Sequence, residues 1–139
     1  MGIGVVEARE LPEGFTKQMT GVWSPLPFGS TDDFTRSIIQ TAVARCAAPG
    51  PLFVEYRMVQ NRLVRLSATG GDAVVLDVRS GAARGEFTTW LVATSSKIEA
   101  IVLGRLKVDG KPMLAMVTET RNYVRCPAPV DDDGSTERE

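Results

Sequence analysis

The dipeptide Asp109-Gly110 lies between two long apolar runs and constrains this chain more than any other feature. A two-residue type I′ turn needs positive φ at both central positions, which Asp tolerates and Gly adopts freely, so the dipeptide predicts a β-hairpin. The predicted hairpin spans Ile98 to Tyr123. Its register follows from the turn: Val108 with Lys111, Leu106 with Met113, Gly104 with Ala115, Val102 with Val117, Ala100 with Glu119 and Ile98 with Arg121.

This register sorts the hairpin side chains onto two faces, because side chains alternate along a strand. One face is largely apolar, and we expect it to be the core face: Ile98, Ala100, Val102, Leu106, Val108, Met113, Ala115 and Val117. The other face has charged ends and an apolar centre, which comprises Ile101, Leu103, Leu114 and Met116. A solvated face would be more polar, so we expect a helix, a second layer or another subunit to cover that centre.

The rest of the chain predicts one helix and several more strands. Apolar residues recur at helical spacing over residues 31–47, after two acidic residues that favour a helix N-terminus. The period then changes to two, and strands are predicted at residues 19–24, 52–59, 62–68, 73–79 and 86–94. Short turns between strands favour an antiparallel meander. The predicted fold is mainly β, at the margin of α+β: a meander curled into a barrel or half-barrel with one packed helix.

Length and charge predict one domain with two irregular ends. A chain of 139 residues is long enough for a single hydrophobic core. We predict an irregular arm over residues 1–17, one β-rich domain over residues 18–126 and a disordered acidic tail over residues 127–139. The tail prediction rests on residues 131–139, which carry a net charge of −4 in a chain whose total is −1.

Several functional classes are disfavoured by composition. The chain has no histidine, which removes Ser-His-Asp and Cys-His catalysis and His-ligated metals. No cysteine or carboxylate spacing indicates a metal or cofactor site, and no apolar run approaches the roughly 20 residues of a membrane span. Five arginines lie between residues 57 and 84, and four acids in the same region can pair with them across strands, so we expect salt-bridged strand faces rather than nucleic-acid binding.

Two cysteines, Cys46 and Cys126, lie 80 residues apart. Two alternatives follow: buried thiols in a cytoplasmic protein, or a disulfide in a periplasmic or secreted one. No signal peptide is visible at the N-terminus, so export would require that one had already been removed.

The motif Gly21-Val22-Trp23 on the predicted first strand, with Arg121 on the predicted last strand, resembles the signature of the lipocalin/calycin superfamily. In that family the indole packs against a basic residue of the last strand and closes one end of a small barrel. The resemblance implies structural roles for Gly21, Trp23 and Arg121, outside any ligand cavity. The chain departs from the family pattern because a helix follows the predicted first strand and seven strands are predicted rather than eight.

A barrel interior could hold a small apolar ligand. The residues that we predict to line it are aromatic or flexible and apolar: Tyr56, Met58, Trp90 and Met116. No catalytic residue is assigned, although Glu119, two positions before Arg121, is a candidate acid if it faces a hollow.

Three functional hypotheses remain open at this point. The first is an exported binding or accessory domain whose partner is another protein or a small apolar ligand. The second is a cytoplasmic subunit that forms a homo-oligomer. The third is a small cavity enzyme that uses Glu119 as its acid or base.

Overall fold

Eight antiparallel strands follow one another in chain order around a closed barrel, in a computed structural model that describes residues 13–27, 34–67, 71 and 73–127. The strands are β1 Gly21–Pro25, β2 Val54–Val59, β3 Arg62–Ser67, β4 Val74–Arg84, β5 Phe87–Ala93, β6 Ile98–Val108, β7 Lys111–Val117 and β8 Asn122–Arg125. Helix α1 spans Glu13–Met19, and α2 spans Arg36–Ala44 and continues as a 3₁₀ turn over Arg45–Ala47. The predicted barrel with one packed helix is confirmed, with eight strands in place of seven.

Helix α1 closes one end of the barrel. It precedes β1 directly, and its Phe15 and Met19 side chains are fully buried in the main core. Residues 13–17 therefore belong to the barrel domain, and their assignment to an irregular arm was wrong. The acid-rich segment 128–139 and residues 1–12 lie outside the described part of the chain.

The predicted hairpin is correct near its turn and wrong farther away. Asp109 and Gly110 have φ angles of 55° and 79°, and the pairs from Val108 with Lys111 to Val102 with Val117 form as predicted. The pairs of Ala100 with Glu119 and Ile98 with Arg121 do not form, because β7 ends at Val117. The chain then turns through residues 118–121 into β8, which pairs with the other side of β7.

The two faces of this hairpin are the reverse of the prediction. The row that contains Ile101, Leu103, Leu114 and Met116 faces the barrel core, whereas Leu106, Val108 and Met113 lie outside and pack under α2. Both faces are apolar because a barrel wall that carries a helix on its outer surface is buried on two sides.

Strand β4 is longer than predicted. The segment after Arg79 was expected to be a loop, but β4 continues to Arg84 after a register shift between Val78 and Ser80. This irregularity has the form of a β-bulge, which inserts one extra residue and re-aims the side chains that follow. As a result Gly81 lies opposite Trp90 of β5.

Helix α2, inserted between β1 and β2, is fastened to the outer wall at several points. The hydroxyl of Ser24 donates a buried hydrogen bond of 2.7 Å to the carbonyl oxygen of Ala42. Arg36 and Gln40 both contact the Asp109 carboxylate at the hairpin turn. Cys46 and Cys126 form a disulfide with a Cα–Cα distance of 5.7 Å. The described helix begins after Thr35, and the predicted residues 31–33 lie outside the described chain.

Candidate ligand-binding site

A cavity of about 400 Å³ opens at the barrel end opposite α1. We call it the mouth cavity; its wall includes Val54, Tyr56, Arg65, Val74, Glu99 and Tyr123. Its rim is made by the β5–β6 turn at residues 94–97 and the β7–β8 turn at residues 118–120. The volume lies within the range of small-molecule sites.

The half of the barrel interior on the α1 side is filled by the protein's own side chains. Trp23, Leu63, Ile101 and Met116 have no solvent exposure, and Leu76 has almost none. This packing agrees with the size of an eight-stranded barrel, whose interior is just wide enough for side chains to fill. A ligand would therefore occupy only the open half.

An ion pair crosses the mouth cavity from β3 to β6. Arg65 Nη1 donates to Glu99 Oε1 at 2.9 Å, and Nη2 donates to Oε2 at 3.1 Å. The two side chains are only 23% and 11% exposed. Hydrogen bonding from Arg65 holds the pKa of Glu99 below its usual value, and the same contact raises the pKa of Arg65.

The two tyrosines of the chain, Tyr56 and Tyr123, both line this cavity. Burial raises the pKa of the Tyr56 hydroxyl, and the nearby Arg65 guanidinium opposes that shift in part. Burial also raises the pKa of Tyr123. Both hydroxyls are therefore neutral at physiological pH and can donate or accept a hydrogen bond.

The rim adds one exposed ion pair. Lys97 Nζ lies 3.7 Å from a carboxylate oxygen of Glu119, and both side chains are about half exposed. Glu119 lies in the turn rather than on a strand, so its predicted pairing with Ala100 was wrong, but it does border the mouth cavity, as a cavity acid would have to. Together with the pair of Arg65 and Glu99, this contact leaves the charges that line the mouth cavity balanced.

The predicted pocket residues occupy three different regions. Tyr56 lines the mouth cavity. Met58 is 39% exposed near the end of β2, toward the barrel end that α1 closes, and Met116 is fully buried in the packed half. Trp90 packs against Phe15, with 4.9 Å between ring centroids, and its indole nitrogen has no hydrogen-bond partner in the described structure. Met58, Trp90 and Met116 are therefore not part of the mouth cavity.

Sequence reasoning missed Arg65, Glu99 and Tyr123 as site residues. Glu99 shares its strand face with Ile101 and Leu103, and a carboxylate beside these two apolar residues was the available signal. It was overlooked because that face was expected to lie outside the core.

The Gly-x-Trp motif is part of the closed end. The Trp23 indole donates to the carbonyl oxygen of Met19 at 2.9 Å. The basic residue opposite Trp23 is Arg125, which donates to the carbonyl oxygen of Thr20 at 2.6 Å and lies 3.1 Å from where a Cβ at Gly21 would stand. Arg121 precedes β8 and does not hold this position.

The described residues contain neither a metal-binding cluster nor a membrane-spanning helix. No group of three or more acidic or cysteine side chains in those residues could hold a metal ion. No helix among them is long and apolar enough to cross a membrane. No known protein family matches the chain, and neither the curated proteins nor the solved structures contain a significant match.

Proposed function

We propose that this protein is a small binding domain that holds a small molecule in the mouth cavity. The observation that carries the proposal is the polar cluster of Arg65, Glu99, Tyr56 and Tyr123 inside a barrel whose other half is packed. An ion pair in such a place contributes little net stability compared with apolar packing, so its presence favours a role in recognition. The resemblance to lipocalins and calycins is compatible with this role.

The chemistry of the cavity defines the class of ligand. Val54 and Val74 offer apolar contact, whereas the tyrosine hydroxyls and the pair of Arg65 and Glu99 offer donors and acceptors. Because the charges that line the cavity balance, we expect an uncharged ligand with an apolar body and a head that both donates and accepts hydrogen bonds. This is a more polar ligand than the sequence suggested.

The disulfide supports a periplasmic or secreted location rather than the cytoplasmic alternative. Disulfides persist in oxidising compartments and are rare in the cytoplasm of mesophilic organisms. We assign no catalytic step to the site, and a cavity enzyme that uses Glu119 is the less favoured alternative.

The test begins with a native mass spectrum of the unreduced protein, which reports any ligand that copurifies. The identified ligand is then added back to ligand-free protein, and tyrosine absorbance is followed because both tyrosines lie in the mouth cavity. We expect Tyr123→Phe to weaken binding about tenfold, the usual effect of one lost hydrogen bond, and Met58→Leu to leave binding unchanged. Equal weakening by both substitutions, or no tyrosine signal, would contradict the proposal.

The outer wall favours a second candidate function, self-association. Leu91, Ile98 and Val117 are 40%, 60% and 37% exposed on three adjacent strands, and they form an apolar outer patch. Exposed patches of this kind often mark interaction sites. The oligomeric state of the Ile98→Glu variant, measured by analytical ultracentrifugation, tests this candidate. The matched control is Leu52→Glu, in the loop before β2. A homo-oligomer that uses the patch would dissociate in the first variant only.

A further inference from the structure

A second cavity opens where β7 extends past the end of its ladder with β8. Strand β7 pairs with β6 from Lys111 to Val117 but with β8 only from Ala115 to Val117. The remaining gap is a groove of about 610 Å³ on the α1 side of the barrel, away from the mouth cavity. We call it the cationic groove; it is lined by Gln18, Arg105, residues 111–114 and residues 125–127.

Three cations surround this groove without acidic partners. Arg105, Lys111 and Arg125 come from β6, β7 and β8. No carboxylate in residues 13–27, 34–67, 71 and 73–127 lies within ion-pair distance of any of them. Glu86 borders a smaller neighbouring cavity of about 160 Å³ that shares Gln18, Arg105 and Leu114 with the groove, but it forms no ion pair with Arg105. Positive charge without acidic partners around a concave surface attracts anions.

Arg125 holds its position without a ligand. Its guanidinium donates to the carbonyl oxygen of Thr20, and it is flanked by Gly21, which leaves room for the side chain. Burial without a carboxylate lowers the pKa of Arg125. An anion in the groove would therefore meet one fixed arginine and two exposed cationic side chains, those of Arg105 and Lys111.

The floor of the groove is apolar. Pro112, Met113, Leu114 and Pro127 supply carbon surface between the three cations. Residues 111–114 also form a strand edge that pairs on one side only, but Pro112 has no amide hydrogen, so an added peptide strand would find a poor partner there. The combination favours a molecule with an anionic head and an apolar body over an extended peptide.

We propose that the cationic groove binds a free amphiphile with an anionic head group, which contacts Arg105, Lys111 and Arg125 while its apolar body lies on Pro112 and Leu114. This site is separate from the mouth cavity and does not depend on the function proposed for that cavity.

The test is calorimetric titration of the full, disulfide-bonded protein with decanoate, supported by amide chemical shifts. We expect saturable binding that weakens as salt increases, with shifts at Leu114 and none at Tyr56 or Tyr123. The double variant Arg105→Gln/Lys111→Gln should weaken binding about tenfold or more, because two charge-assisted contacts are lost. The matched control Arg62→Gln/Arg84→Gln removes two exposed arginines that line neither cavity and should change binding less than twofold. Thermal melts check that all of the variants fold.

Four results would overturn the proposal. The first is equal binding by the two double variants, and the second is equal binding of neutral octyl glucoside or of inorganic phosphate alone. The third is binding only to vesicles that contain anionic lipid, which would point to a membrane surface rather than a free molecule. The fourth is binding seen only after Asp131, Asp132 and Asp133 are changed to Asn, which would mean that the chain's own acidic residues compete for the groove.

Discussion

Glu99 on β6 accepts two hydrogen bonds from Arg65 on β3, at 2.9 and 3.1 Å, inside the open half of the barrel. Because this contact lowers the pKa of Glu99 in the folded state, its stabilising effect is complete above the unfolded value of 4.5 and is lost as pH falls through the folded value. We expect Glu99→Gln to reduce the free energy of unfolding by about 2 kcal/mol at neutral pH. Urea denaturation at several pH values should show this difference shrinking below pH 4.5.

Glu119→Gln is the control for that measurement. Its carboxylate contacts Lys97 on the exposed rim, where ion pairs contribute about 0–1 kcal/mol. A loss from Glu99→Gln that is no greater than the loss from Glu119→Gln would show that the pair of Arg65 and Glu99 does not stabilise the barrel.

The two tyrosines provide a second prediction. The pKa values of Tyr56 and Tyr123 are both raised by burial, so the folded protein should form little tyrosinate at pH 10, where the unfolded chain is half ionised. Stability from these groups is complete below pH 10 and is lost as pH rises through their folded pKa values. Absorbance at the tyrosinate band, measured with and without denaturant, tests this. Coincident titration curves would contradict the buried positions of the hydroxyls.

Gly81 provides a third prediction, because the Trp90 ring lies directly over its Cα. A Cβ at residue 81 would collide with the ring, which also packs against Phe15 of α1. We expect Gly81→Ala to lower the free energy of unfolding by about 1–3 kcal/mol, the usual cost of overpacking. Gly50→Ala is the matched control, since a Cβ there meets no atom within 4 Å, and it should change stability by less than about 0.5 kcal/mol. Equal effects would mean that the ring moves aside without cost.

The disulfide provides a fourth prediction. The bond between Cys46 and Cys126 closes a long loop, and loop-closure entropy assigns such a bond on the order of 4 kcal/mol. We expect the Cys46→Ser/Cys126→Ser variant to unfold at markedly lower urea concentration than the wild type, and a reducing agent to affect the wild type only. A midpoint that does not change on reduction would show that the disulfide does not stabilise the fold.

Some of this structure was readable from the sequence. Asp109-Gly110 predicted the β6–β7 register correctly for four pairs, because turn chemistry is local. Its inner and outer faces were exchanged, because Ile101 and Leu106 are equally apolar and only the position of α2 decides which of them faces the core. The short turn at residues 118–121 was missed because these four residues include no glycine, proline, asparagine or aspartate, the residue types that indicate a turn.

The candidate site was less predictable than the fold. Tyr56 was identified, but the partnership of Arg65 with Glu99 joins residues 34 positions apart and depends on barrel closure. The same non-local geometry selects Arg125 rather than Arg121 as the neighbour of Trp23, since four residues of turn separate the β7 and β8 ladders. Spacing along the chain contains no information about either choice.

The closure between β1 and β8 is short, and it joins segments about 100 residues apart. Three register pairs, Trp23 with Arg125, Ser24 with Val124 and Pro25 with Tyr123, connect the first strand to the last. Contacts of such long sequence separation carry a loop-closure entropy cost that local strand pairs do not. The disulfide bonds the α2 insertion to the residue that follows β8, immediately beside these pairs. The oxidised disulfide therefore holds the pairing between β1 and β8 in place. We expect that in a reduced chain this pairing can open while the other strand pairs stay intact.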